Sequence, residues 1–195
     1  CFSEDSCKVN NIYGYSEIVS KYDNDDNMLE QWYYTKEGEL VENKNRGCAG
    51  LICVYDEKGN LVKESFFDEK RNPKLLDGKV HSIEYEYDWF NNMTKRVYKD
   101  LNGNNVKGQL IYARTFDPYG NVVVEECFAD DGMTFVNNAK GWQRKELSYD
   151  KNKFVSQSVY YDAAGYIVNG PNKGYAIEKI VNDNLGNPVS KSYFS

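Results

Sequence analysis

Histidine is all but missing from this 195-residue chain, which carries one, His81. Catalysis by a base-activated cysteine or serine needs a nearby proton acceptor, so Cys53 or Cys127 paired with His81 is all that imidazole chemistry has to draw on. The slot of His81 at a strand start varies between the repeats described below, and a structural role accounts for it. With one histidine and no C-x-x-C spacing, a structural zinc site has too few ligands. Proline is sparse at 4 residues and methionine at 3, and alanine and leucine are scarce. The remaining helix formers, Lys and Glu, follow no 3.6-residue period, so no stretch reads as a helix. No apolar run approaches the roughly 18 residues of a membrane-spanning helix, and no signal-peptide apolar region is present. Basic runs go no further than isolated pairs such as Lys70-Arg71 and Lys95-Arg96. With a net charge of -6 and a pI near 5.0, these argue against a nucleic-acid partner.

What is abundant is tyrosine, 17 residues, beside 9 phenylalanines, at a mean hydropathy of -0.74. Such a chain builds sheets with half-wet faces in place of a thick apolar core. An aromatic-Asp pair recurs at Tyr22-Asp23, Tyr55-Asp56, Tyr87-Asp88, Phe116-Asp117 and Tyr149-Asp150, with Asn182-Asp183 as a degenerate sixth copy. The aspartates are separated by 33, 32, 29, 33 and 33 residues. Four residues on stands Asn27, Asn60, Asn92, Asn121 or Asn187, and only Phe154 breaks the column. The position before it is Gly59, Gly120 and Gly186 in three copies, with Asp26 and Asn91 in two others. These residue types tolerate positive φ and mark a tight turn. A second turn follows at Asp68, Asp100, Asp130 or Asp162, with Gly38, Gly103, Gly132 and Gly165, and Arg71 once in their place. Each unit then ends on Gly47, Gly78, Gly108, Gly141 or Gly174.

Between turns the residues alternate, as in Ile83, Tyr85 and Tyr87 against Glu84, Glu86 and Asp88, which is the period of a half-buried strand. The sequence therefore predicts an all-β fold, a tandem-repeat antiparallel meander of about six two-stranded units near 32 residues each. The sheet is expected to be elongated or solenoid-like. Residues 1–12 precede the pattern as an N-terminal cap or arm, and 13–195 form a single array.

Tyr55-Asp56-Glu57-Lys58-Gly59-Asn60-Leu61-Val62 and Phe116-Asp117-Pro118-Tyr119-Gly120-Asn121-Val122-Val123 resemble the YD repeats of Rhs-type bacterial surface and toxin-shell proteins. The resemblance runs from about Tyr13 onward. It departs from the family in its longer period and in Asn where arginine usually follows the turn glycine. It implies a β-repeat protein that is secreted or on a cell surface.

The recurring turns account for the aspartates in every copy, which a carboxylate-pair active site would not, so no enzyme is expected. Two readings of function follow. One is a structural, self-assembling protein that associates with itself or another surface protein through its terminal strands, at an edge formed by Val189, Tyr193 and Phe194. The alternative is a module for glycans or cell-wall polymer. There the column Tyr33, Phe66, Tyr98, Tyr160 and Tyr193 would stack on sugars, or else simply pack the repeats together. No cofactor is required. Calcium is the one candidate metal, on the oxygen-rich turn of Asp23, Asp25 and Asp26. Asn92-Met93-Thr94 is a glycosylation sequon. The five cysteines cannot all pair within one chain. Cys1 in first position suggests a lipid anchor, and pairing of Cys1 with Cys7 competes with that reading.

Overall fold

The repeat begins with one carboxylate. In the second copy, Asp56 Oδ1 accepts the backbone N–H groups of Lys58 and Asn60 at 2.9 and 2.8 Å, and its Oδ2 accepts the Asn60 side-chain amide at 2.9 Å. The Gly59 N–H donates to the Asp56 carbonyl, and Asp56 N–H to the Asn60 carbonyl, both at 3.0 Å. The chain reverses in this space only because the fourth residue takes positive φ, +81° at Gly59. In the other copies this position is Asp26, Asn91, Gly120, Lys153 and Gly186, all left-handed. The positive φ expected at Gly120 is present. Lys153, which nothing in the residue pattern marked, adopts it at 68°.

The computed structural model of the protein describes residues 8–171 and 173–195. The six turns join twelve strands into hairpins. They are β1 (Glu17–Tyr22) with β2 (Met28–Tyr34), β3 (Gly50–Tyr55) with β4 (Leu61–Phe67), and β5 (Ser82–Tyr87) with β6 (Met93–Lys99). The other three are β7 (Ile111–Phe116) with β8 (Val122–Phe128), β9 (Arg144–Tyr149) with β10 (Val155–Tyr161), and β11 (Ile177–Asn182) with β12 (Pro188–Phe194). Sheet order follows chain order, so the fold is a twelve-stranded antiparallel meander without helices among the described residues. The first, second, fourth, fifth and sixth hairpins carry a register shift beside the turn, as between Val54 and Tyr55, where the positive-φ residue adds a bulge.

The chain divides into two compact units. Among the described residues, one takes in those up to Tyr85 together with Val97–Val106; the other is Glu86–Arg96 with Lys107–Ser195. In the first, Leu51 and Cys53 are buried while Ile52 and Val54 between them are exposed, as period two requires. Over Leu51, Cys53 and Phe66 pack Cys48, Val80, Val106 and Leu76, which come from the loops between units. The loops are therefore the second layer of the fold, and they let a single sheet bury a face without a helix. In the second unit Cys127 and Tyr160 are covered by Trp142 and Val168 in the same way.

Each loop is more ordered than the sequence pattern implied. It first bonds back onto its own hairpin, Val41 N–H to the Tyr33 carbonyl and Val168 N–H to the Tyr160 carbonyl, both at 3.0 Å. It then makes a further turn, in which Asn43 N–H reaches the Cys48 carbonyl at 2.9 Å and Asn138 N–H the Trp142 carbonyl at 2.9 Å. In the third copy, the 29-residue one, the loop is shorter: it turns at Lys107 and Gly108, the latter at positive φ, and enters β7 at Ile111. Residues 8–16 join the first unit through Tyr15, whose ring lies 5.0 Å from that of Tyr33.

Candidate functional site

The aromatic column is packed inside the array and exposed only at Tyr193. Tyr33, Phe66 and Tyr160 are 2%, 4% and 6% exposed, and Tyr98 packs half-buried against the first unit's cluster. Tyr33 spends its hydroxyl on Gln31 Oε1 at 2.7 Å. Tyr33, Phe66 and Tyr160 thus pack the repeats together, the second of the two roles set out for this column. Strand alternation distinguishes two faces, but only the loops decide which one is covered. In the first unit part of the opposite face is covered as well. Trp32, 4% exposed, lies over Gly50, where a Cβ would come within 2.1 Å of Cε3 of the indole. The Arg71 guanidinium sits 4.0 Å from the indole centroid, and the Phe67 ring 6.0 Å from it.

The acidic turn is built for its own backbone. Asp23 Oδ1 accepts from Asp25 and Asn27 N–H and its Oδ2 from the Asn27 amide. The Asn27 amide is the largest of the influences holding this carboxyl below its ordinary range, as Asn60 is for Asp56 and Asn187 for Asp183. Asp26 supplies the positive φ, and Asp25 points into solvent. Among the described residues no group of three or more His, Cys, Asp or Glu side chains converges to hold a metal ion. Asn92 is likewise part of its turn, its side-chain amide donating to Asp88 Oδ2 at 2.9 Å.

Cys48, Cys53 and Cys127 are free and buried, and burial pushes each thiol up to about 11. His81 sets Nδ1 3.2 Å from the Lys74 carbonyl oxygen and its ring edge-on to Phe67. Thiols so shifted are poor nucleophiles at neutral pH. Cys1 and Cys7 lie outside the described residues. Among the described residues no helix is long and apolar enough to cross a membrane.

Of the residues placed at the sheet edge, Val189, Tyr193 and Phe194 are exposed, as is every residue of β12. Tyr193 pairs its ring with Tyr175 at 4.3 Å between centroids, and Lys179 approaches the Phe194 ring at 5.3 Å. Three strongly exposed aromatics that the sequence reading passed over are at the hairpin tips. Trp89, Phe90 and Tyr119 occupy the two positions after the turn aspartate and are 79%, 67% and 72% exposed. Their signal was legible, since these positions are polar in the first two copies (Asn24 and Asp25, Glu57 and Lys58).

No protein-family model matches the chain, and no curated protein does. Solved structures are similar in part. The Tc holotoxin pore of Photorhabdus luminescens aligns at 15% identity and a TM-score of 0.40, over 90% of this chain and 9% of that one. The crystal structure of TcdB2-TccC3 aligns at 16% identity and a TM-score of 0.40, and the same complex without its hypervariable C-terminal region at 15% and 0.41, with the same coverage. The chain thus spans under a tenth of those it matches.

Proposed function

We propose that this chain is a non-enzymatic structural repeat segment, secreted or on a cell surface, whose sheet is continued at β12 by the first strand of a second copy. The joint between successive units carries the reading. In the second strand of a unit, the amide of one column donates to the residue just before the next strand. Tyr33 reaches the Ala49 carbonyl at 3.0 Å, Phe66 that of His81 at 3.0 Å, Cys127 that of Gln143 at 2.8 Å and Tyr160 that of Ala176 at 3.3 Å. Tyr193 holds this column in β12, an edge strand exposed along its length. An exposed edge with outward amides is a template for pairing. β1, itself an edge and largely exposed, is a first strand of the kind that this column takes elsewhere in the chain. A β12-to-β1 contact is head-to-tail and repeats from copy to copy.

The non-enzymatic reading is supported by the buried, proton-bound thiols and by the aspartates held in their turns. The surface placement rests on the YD resemblance. Light scattering over a concentration series tests the assembly. The expected result is a mass that rises with concentration, and its loss in Lys191→Pro. That substitution removes an outward N–H two residues from Tyr193 and leaves the bonds of the β11–β12 hairpin in place. A mass of one chain at every concentration refutes the reading.

A further inference from the structure

The second strand of each unit ends on an aromatic residue, except in the third copy. Tyr34, Phe67, Phe128, Tyr161 and Phe194 hold this column, and Lys99 takes their place at the end of β6. The residue bridged to it across the following turn departs in step. Leu40, Pro73, Phe135 and Ile167 stand opposite Tyr34, Phe67, Phe128 and Tyr161, whereas Asn105 stands opposite Lys99. An aromatic and its apolar partner have been exchanged together for an amine and a carboxamide. A departure from the repeat that changes both members of a pair points to a task for the pair.

The two groups meet. Lys99 Nζ donates to Asn105 Oδ1 at 2.8 Å. That contact puts the nitrogen within about 4 Å of the carboxamide carbon, close to the roughly 3–3.5 Å from which a nucleophile attacks. Backbone bonds on both sides hold the pair in place. Asp100 N–H donates to the Asn104 carbonyl and Val106 N–H to the Tyr98 carbonyl, both at 2.9 Å. Asp100 Oδ1 also accepts the Asn102 and Asn104 N–H groups at 2.8 and 2.9 Å. A carboxylate completes the set. Glu84 Oε2 lies 3.5 Å from Lys99 Nζ, and Lys63, its cross-strand partner, steadies Oε1 at 3.4 Å. Lys63, Glu84, Lys99 and Asn105 all belong to the first unit. The side chain of Lys99 is 19% exposed against 40% for Lys63, so little water competes for the contact with Asn105.

We propose that Lys99 and Asn105 condense to an isopeptide bond within the chain, with Glu84 as the proton carrier. Glu84 takes a proton from the Lys99 ammonium, and the freed electron pair of Nζ forms a bond to Asn105 Cγ. As the tetrahedral adduct collapses, Glu84 gives that proton to Nδ2, the Cγ–Nδ2 bond breaks, the carbonyl reforms and ammonia leaves. Nζ then sheds its surplus proton through the same carboxylate. The net change is one amide formed and one ammonium released, which is redox-neutral and needs no co-reactant. The bond closes a covalent ring across the second turn of the shortest copy. It uses no residue of the edge-strand assembly, so either can fail alone.

Tryptic mapping of the full chain, unfolded before digestion, tests it. Condensation removes the Lys99 ammonium that trypsin recognises. The expected product is the peptide Val97–Lys107, uncut after Lys99 and lighter than its sequence by one ammonia, with fragment ions in which Lys99 and Asn105 stay joined. Glu84→Gln keeps the size of the side chain, and Asn105→Leu restores the residue of the first copy. Both should give peptides cut after Lys99 and of full mass. A wild-type chain cut after Lys99 and carrying its full sequence mass overturns the proposal, whether or not the variants fold. A succinimide at Asn102-Gly103 also loses ammonia, but it leaves Lys99 open to trypsin and opens in mild base, so that pattern overturns the proposal too. A cross-link that persists in Glu84→Gln overturns the assignment of the proton carrier.

Discussion

The second and fifth hairpin turns have the same shape and reach it with different residues. At Asp56–Asn60 the carboxylate takes an amide from Asn60 within the turn. The carbonyl of the residue after such a turn takes a hydroxyl from the next unit, as Tyr55 Oη gives to Met28 at 3.2 Å and Tyr149 Oη to Val122 at 2.7 Å. At Asp150–Phe154 the asparagine is gone and so is the tyrosine of the next unit. Asn182 stands there, and its single amide donates both to Asp150 Oδ2 at 3.3 Å and to the Val155 carbonyl at 3.0 Å. One two-donor group replaces two one-donor contacts. The apolar ring that left the tyrosine column has moved to Phe154, which lies against Gly186 where Asn27 lies against Gly59. The repeat is thus preserved as a set of satisfied polar atoms and filled volumes. Asn182, which reads as decay of the motif, is half of a compensated exchange.

The largest effect is expected where Phe154 sits. A Cβ on Gly186 would lie 2.5 Å from Phe154 Cε1, on a residue already at positive φ, whereas at Gly59 the nearest atom is 3.7 Å away. Gly186→Ala should cost about 3 kcal/mol, combining overpacking with left-handed strain, and Gly59→Ala about 1 kcal/mol. Chemical denaturation of the two variants measures the difference, and equal losses would show that Phe154 does not occupy that space.

The exchange itself is tested by a double-mutant cycle. Asn182→Val leaves the Val155 carbonyl without this donor and should cost about 1–2 kcal/mol. Phe154→Asn with Asn182→Tyr rebuilds the ordinary turn. The pair should be more stable than the sum of its single variants by about 1 kcal/mol, and additive single effects would dissolve the compensation.

A smaller, shared effect separates the turns by acid. The carboxyls of Asp23, Asp56, Asp117, Asp150 and Asp183 are held below their unfolded value, so the stability they contribute is present above that value and lost as pH falls through the folded one. At Asp150 desolvation pushes the carboxyl up, and bonds from the Phe154 N–H and Asn182 outweigh it. Acid unfolding is therefore expected below about pH 4. Asp56→Asn should flatten the pH dependence of stability in that range, and an unchanged profile would mean that the turn carboxylate is not linked to folding.

Much of this fold was legible in the residues. The Asp, Gly and Asn columns located all six hairpin turns, because positive φ and a self-capping carboxylate restrict residue type severely. Period two located the strands. The second layer was not legible, since Cys48, Val80 and Val106 lie in loops whose only visible feature was a terminal glycine. Without that layer the buried aromatic column could not be told from the exposed one. Lys153 at positive φ was invisible because its conformation is imposed by the turn around it. The tip aromatics were visible as apolar residues in polar positions.

The central claim, that β12 is a pairing edge, is tested most directly by amide hydrogen exchange at Lys191 and Tyr193 as a function of protein concentration. Both amides face outward by the column that Tyr33, Phe66, Cys127 and Tyr160 define. The account predicts fast exchange at high dilution and protection that grows with concentration, with the β11-facing amides protected throughout. Fast exchange of Lys191 and Tyr193 at every concentration would contradict it.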